Sequence, residues 1–168
     1  PMQTLLIYRT PDQRTPAFYH QLKASSALLP TLRQVLKNIP NSLWIYYASK
    51  DGFSFLTPEI PRIPSEEYTY SSIFWTQTIP KNNPDLKMVV TDAYEDYFSK
   101  ELVITITIPV AFEGVFVGLI GFDLGINALL EISQQHQSVG QPFIFANQHS
   151  QVNPDKNAFT TTNMQSYT

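Results

Sequence analysis

Leu102–Leu124 reads LVITITIPVAFEGVFVGLIGFDL: two apolar runs joined by a short turn that contains Gly114, the second run ending on one carboxylate. In the first run Leu102, Ile104, Ile106 and Ile108 fall on one side and Val103, Thr105 and Thr107 on the other, the period of two of a strand with unlike faces. Pro109 has no N–H and is expected to end ladder donation there. In the second run Phe116, Gly118, Ile120, Phe122 and Leu124 share one side, and Val115, Val117, Leu119, Gly121 and Asp123 share the other. Asp123 thus stands beside a residue with no side chain, and a glycine inside a strand often marks the close approach of a ligand or of another backbone. Two readings of Asp123 stay open. It can cap the helical pattern GINALLEI that follows, or it can be an acceptor at the rim of a small cavity outlined by Gly121.

The composition bounds what surrounds this pair. A chain of 168 residues that is 43% hydrophobic and 13% aromatic can bury a core, as one compact domain with room for part of a second. Only 15% of residues are charged and the net charge is −3, which gives no electrostatic footprint for nucleic acid or an anionic membrane. The absence of cysteine excludes disulfides, thiol catalysis and cysteine-ligated metal. No apolar run approaches the roughly 18 residues that cross a bilayer, and no signal peptide is visible at Pro1. A chain that starts at Pro1 reads as a piece of something longer.

Upstream, Phe18, Leu22, Leu28 or Leu29, Leu32, Val35 or Leu36, and Ile39 are spaced as one apolar helical stripe over Ala17–Ile39. Pro30 predicts a kink or two helices, the second starting near it, and Pro40-Asn41-Ser42 closes the segment. Leu43–Ala48 (LWIYYA), Ser49-Lys50-Asp51-Gly52 and Phe53–Thr57 (FSFLT) form the clearest hairpin, since Asp-Gly supplies the positive φ of a tight turn. From Pro58 to Pro84 five prolines stand among Tyr68, Tyr70, Phe74 and Trp75. That density forbids long elements, and aromatics of this number predict an ordered excursion over one sheet face, with a short helix around Ser71–Thr78. Lys87–Thr91 reads as another strand. A helix from Ile126 to about Gln135, a hairpin at Phe143–Ala146 and Ser150–Val152, and a loose polar tail from Asn153 complete the chain.

Little here carries catalysis. Asp92, Tyr94, Glu95, Asp96 and Tyr97 form an acidic, aromatic cluster that could serve general acid–base work or hold calcium, but the spacing matches no calcium loop. The alternative is a solvated turn whose members hydrogen-bond the backbone. His20, His136 and His149 lie far apart, and no nucleophile elbow, phosphate loop, dinucleotide fingerprint or H-E-x-x-H is present. Trp44, Tyr46, Tyr68, Tyr70, Phe74, Trp75, Tyr94 and Tyr97 fill the space between sheet and excursion, or wall an apolar pocket with hydroxyls at its edges. Both roles can hold together.

In order, these pieces resemble a Cache domain, the PAS-like extracytoplasmic sensor module of bacterial chemoreceptors, sensor kinases and diguanylate cyclases. WIYYASKDG resembles its first strand and hairpin, IFWTQT its Arg-x-Trp-Tyr segment, VVTDAYED its Thr-Asp-Pro-Tyr-x-Asp stretch, and VITITIPVAFEGVFVGLIGFDLGINALL its last strands and helix. GQPFIFANQHSQV resembles the opening of a membrane-proximal second module. The resemblance implies an α+β fold, with a long N-terminal helix packed on a five-stranded antiparallel sheet and a ligand pocket between sheet and loops. Residues 1–135 would form the sensor module and residues 136–168 the start of a second one.

In amino-acid-binding members a Tyr, an Arg, a Trp-Tyr pair and a late Asp hold the ligand. Asp123 matches that Asp, and Phe74 and Trp75 fall at the Trp-Tyr pair. The Arg position is Ser72, which removes the carboxylate clamp and leaves an amine or a neutral molecule as the expected ligand. Tyr68, Tyr70, Trp75, Tyr94, Asp96 and Asp123 are the expected pocket residues. The expected protein is a non-enzymatic periplasmic or extracellular sensor domain of a membrane-anchored receptor, without cofactor and without nucleic-acid partner. Its alternative is a ligand-free spacer, with the N-terminal helix as a homodimer interface in either case.

Overall fold

Two hairpins lie back to back at the centre of the sheet in the computed structural model, which describes residues 4–39, 42–60 and 62–126. Taking strands in chain order, β1 is Thr4–Ile7, β2 is Ser42–Ser49 and β3 is Phe53–Thr57. β2 and β3 join across Lys50-Asp51-Gly52, and Gly52 has φ +87°, as the Asp-Gly signal requires. The second hairpin pairs β6 (Leu102–Phe112) with β7 (Val115–Gly125), after the two-residue strands β4 (Val89–Val90) and β5 (Tyr94–Glu95). Its turn is Glu113-Gly114 with φ +50° and +77°, a two-residue turn whose twist matches that of the flanking strands.

All pairings are antiparallel and the order is β1-β3-β2-β7-β6-β4, with β5 also on β6. The α+β architecture and the antiparallel sheet are those expected. Five strands have four residues or more, and the two-residue strands β4 and β5 extend the sheet beyond them. β1 had no counterpart in the sequence reading. Of the expected Lys87–Thr91 strand only Val89 and Val90 pair.

Two strand expectations are corrected. Pro109 does not end its strand: β6 continues to Phe112, with Pro109 opposite Leu119. The pairing then shifts, because Val110 faces Gly118 while Ala111 faces Phe116, so Val117 is an extra residue on β7. Such a bulge reverses side-chain parity. Phe116 is thereby turned to the face of Leu119 and packs in the same cluster, rather than sharing a side with Ile120 and Phe122.

The sheet is covered on both faces, which is why β2 and β3 are buried through most of their length. One face carries α1 (Pro16–Ser26) and α2 (Leu29–Asn38). Thr15 caps α1 by accepting from the Phe18 amide at 3.2 Å. The stripe breaks where Pro30 predicts, and Pro30 occupies the second position of α2, where its missing N–H is no loss. Phe18, Leu29 and Leu32 pack there against Ile45, Tyr47, Phe53 and Phe55.

The opposite face carries the Pro-rich excursion, which holds two short helices rather than one: α3 (Glu66–Ser71) and α4 (Ile73–Thr78). Ser65 caps α3 by accepting from the Tyr68 amide at 3.0 Å. Thr78 of α4 shares a hydroxyl–hydroxyl bond of 2.6 Å with Thr107 of β6, both fully buried. This second cluster joins Leu6, Tyr46, Ala48, Leu56, Phe74, Trp75, Phe116 and Leu119. All described residues lie within the expected sensor segment. The expected helix beyond Ile126, the turn at Pro40-Asn41, the second hairpin, the polar tail, His136 and His149 lie outside them.

Candidate functional site

Asp123 sits in the middle of the sheet, between Trp44 of β2 and Thr105 of β6. Because β7 runs on to Gly125, Asp123 is two residues inside a strand and cannot be the N-cap of the pattern that follows. It is 4% exposed. Its Oδ1 accepts from Thr105 Oγ1 at 2.7 Å and, at a long 3.4 Å, from the Tyr46 hydroxyl. Thr105 and Tyr94 are 2.6 Å apart. Since the single Thr105 proton is directed to the carboxylate, the Tyr94 hydroxyl must donate to Thr105. A polarised relay Tyr94–Thr105–Asp123 results, and it explains a threonine at a fully buried strand position.

Gly121 has a function that differs from the one expected. A Cβ there would lie 2.2 Å from a carbon of the Tyr46 ring. The close approach foreseen beside Asp123 is thus made by the protein's own tyrosine, directly across the ladder at the Tyr46–Gly121 pair.

Asp96 is the second carboxylate. It follows β5 and is also 4% exposed. Its Oδ2 accepts from the amides of Phe98 at 3.0 Å and Ser99 at 2.6 Å and from Trp44 Nε1 at 3.2 Å. The expected backbone-bonding turn is present, but Asp96 lies inside the protein rather than in solvent. Glu95 points outward and pairs with Lys100 at 3.3 Å. The acidic cluster is therefore split by strand parity, and Asp92 does not line the cavity that Asp96 faces.

That cavity lies between sheet and excursion. It encloses about 40 Å³. Along β2 the ladder sets its ends: Trp44 stands opposite Asp123 and bonds Asp96 at one end, Tyr46 with Phe74 against it lies in the middle, and Ala48 stands opposite Ser54 at the other, with Tyr68, Tyr94 and Phe98 also in the lining. Leu6, Tyr8, Ala48, Ser54, Leu56, Pro64 and Thr69 complete the lining, which among the described residues contains no Lys, Arg or His. The basic groups nearby are engaged elsewhere: Arg9 with Glu66, and Arg62 over the Tyr97 ring at 4.3 Å.

Burial raises the Asp123 carboxyl to about 7, and the charge of Asp96 adds to the rise, while the Thr105 and Tyr46 hydrogen bonds oppose it. Burial likewise raises Tyr46, Tyr68 and Tyr94 above the ordinary phenol value, with the charge of Asp123 contributing to each. The phenols therefore stay neutral and serve as hydrogen-bonding walls. Two carboxylates in one low-dielectric cavity with no cation opposite is a costly arrangement, which a positive group would relieve.

Of the six expected pocket residues, the structure brings Tyr68, Tyr94, Asp96 and Asp123 to the cavity. Tyr70 and Trp75 do not line it. The Tyr70 hydroxyl donates to the Ser49 carbonyl at 2.6 Å, and its ring packs edge-on against Trp75 at 4.6 Å, with Phe116 beyond. Ser72, at the family's Arg position, donates to the Thr69 carbonyl and does not reach the cavity. Tyr8, Thr69, Phe98 and Thr105 were not foreseen. Only Thr105 had a legible sign, as a polar residue on the face it shares with Val103 and Thr107. Among the described residues no three His, Asp or Glu side chains could hold a metal ion, and no helix is long and apolar enough to cross a membrane.

No protein-family profile and no curated protein matches the chain. Solved structures do. The ligand-binding domain of the Pseudomonas fluorescens chemoreceptor CtaA, in complex with L-alanine, matches with TM-score 0.54 at 17% identity over 64% of this chain and 45% of that one. The ligand-binding domain of the Pseudomonas aeruginosa amino acid chemoreceptor PctB, in complex with L-Arg, matches with TM-score 0.52 at 22% identity over 71% and 47%. The chain thus spans about half the length of these domains. The described residues adopt the PAS-like, Cache-type fold of chemoreceptor ligand-binding domains.

Proposed function

We propose that this chain is the ligand-binding part of an extracytoplasmic sensor domain in a membrane-anchored bacterial receptor, and that its cavity takes a small molecule with a cationic amine. The output would be that of a chemoreceptor, a sensor kinase or a diguanylate cyclase, carried on other parts of the receptor. The observation that carries the reading is the pairing of Asp96 with Asp123: two buried carboxylates face one aromatic-walled cavity whose lining holds no cation. An ammonium there gains both charges and lies among the Trp44, Tyr68 and Tyr94 side chains. The neighbours in fold are sensor domains crystallised with amino acids. The lack of an arginine in this lining favours amines without a carboxylate, because a carboxylate would enter unpaired.

Thermal unfolding against primary amines, amino acids, carboxylates and neutral polyols tests this. An amine at about 100 times its dissociation constant should add roughly 2.7 kcal/mol and raise the midpoint by several degrees. Asp123→Asn should abolish that rise. Stabilisation by carboxylates alone, or by amines equally in Asp123→Asn, would overturn the assignment.

One observation favours a second reading. The Tyr46 hydroxyl already reaches Asp123 and the enclosed space is only about 40 Å³, as in a module that has filled its own pocket and acts as a dimeric spacer through its N-terminal helices. Sedimentation showing a concentration-dependent dimer, with no response to any amine, would select it.

A further inference from the structure

At the other end of the same cavity stands a polar group that the amine reading does not use. Ser54 lies on β3 opposite Ala48 and Leu6. It is 3% exposed, lines the cavity, and its Oγ has no hydrogen-bond partner among the described residues. Buried hydroxyls are nearly always paired, and an unpaired one costs stability. Here it ends a stretch of cavity lined by Leu6, Ala48 and Leu56.

The ladder sets the distance between the two ends. Ala48 and Trp44, four residues apart on β2, stand opposite Ser54 and Asp123 respectively, with β2 between β3 and β7. With ~3.3 Å per residue and ~4.8 Å per strand, the two Cα atoms are roughly 16 Å apart. An extended six-carbon amino alcohol measures about 9 Å from nitrogen to oxygen, and hydrogen bonds of about 2.9 Å at both ends bring its span to about 15 Å.

We propose that the cavity, once Phe74 parts from the Tyr46 ring 5.2 Å away with which it closes the middle, reads both ends of an elongated primary amine: the ammonium at Asp96 and Asp123, the alkyl chain over the Tyr46 ring and Leu56, and a neutral hydroxyl or amide at Ser54 Oγ. The distal group is neutral because Ser54, Tyr8 and Thr69 at that end are uncharged, and a charge would be buried there without a partner. Ser54 Oγ both donates and accepts, so it can serve either kind of group. The proposal rests on the amine reading of Asp96 and Asp123 and adds a chain length and a second anchor.

Calorimetric titration of the whole chain with n-hexylamine and with amino alcohols of three to eight carbons tests it. The expected result is an affinity maximum near six carbons, with 6-amino-1-hexanol about tenfold tighter than n-hexylamine, the size of one good hydrogen bond. Ser54→Ala should erase that difference. Equal affinities for the alcohol and n-hexylamine in the wild type overturn the proposal without any variant, and so does a preference that survives Ser54→Ala. Amine binding that depends on Asp123 but ignores the distal hydroxyl removes only the second anchor. Failure of every amine to bind removes the amine site and this proposal together.

Discussion

Gly121 and Tyr46 occupy one volume, so neither can change alone. A methyl group at 121 would meet the Tyr46 ring at 2.2 Å, and overpacking of this kind costs about 1–3 kcal/mol. Gly121→Ala is therefore expected to lower the thermal midpoint by several degrees. Tyr46→Leu in the same chain should recover part of that loss, a non-additivity measurable by calorimetry. Asp123 makes a pH prediction. Its folded carboxyl, raised to about 7 from the ordinary 3.8, binds its proton more tightly than the unfolded chain does. This contribution to stability is complete below the ordinary value and is lost as pH rises through about 7, on the order of 2–4 kcal/mol in all. Urea unfolding should show a decline from pH 4 to 7 that flattens in Asp123→Asn. Ammonium binding needs the ionised form, so amine affinity should rise from pH 6 to 8. At this scale the sequence showed that Gly121 admits a close neighbour and that Asp123 needs a reason for its charge. It could not show that the neighbour is Tyr46, because that pairing depends on the register between β2 and β7.

The roof of the cavity rests on short elements with identifiable fastenings. Ser65 is the N-cap of α3, which carries Tyr68 and Thr69 over the pocket. Ser65→Ala should destabilise that helix by about 0.5–2 kcal/mol, visible as faster amide exchange across residues 66–71 and as weaker amine binding. α4 is held by the buried Thr78–Thr107 hydroxyl pair. Thr78→Val would leave the Thr107 hydroxyl unpaired, a loss of about 1–3 kcal/mol that a shifted urea midpoint would reveal. Elements with strong local signals were legible in the sequence: the Asp-Gly hairpin, the helix pair split at Pro30, and the two apolar strands. Elements set by distant contacts were not. β1 is a four-residue strand that exists only because β3 offers an edge, and α3 is a single capped turn and a half amid prolines. The Phe116 error has the same origin, since the bulge that reverses it belongs to pairing with β6.

The sheet as a whole separates a fixed floor from a roof of short segments. β2 and β7, which bear Trp44, Tyr46 and Asp123, are each hydrogen-bonded to neighbouring strands on both sides. α3 and the Asp96 turn have no such ladder beyond the two-residue strand β5. Local opening follows the number of such supports, so amides of β2 and β7 are expected to exchange only through global unfolding, and those of residues 62–71 by far smaller fluctuations. A bound amine should then slow exchange in the roof by orders of magnitude more than in the floor. Exchange slowed equally everywhere would show that ligand stabilises the fold only globally. The order of the strands thus gives the proposed site a kinetic meaning: the carboxylate of Asp123 would be a stationary target, and the time an amine stays would be set by how often six helical residues lift away from it.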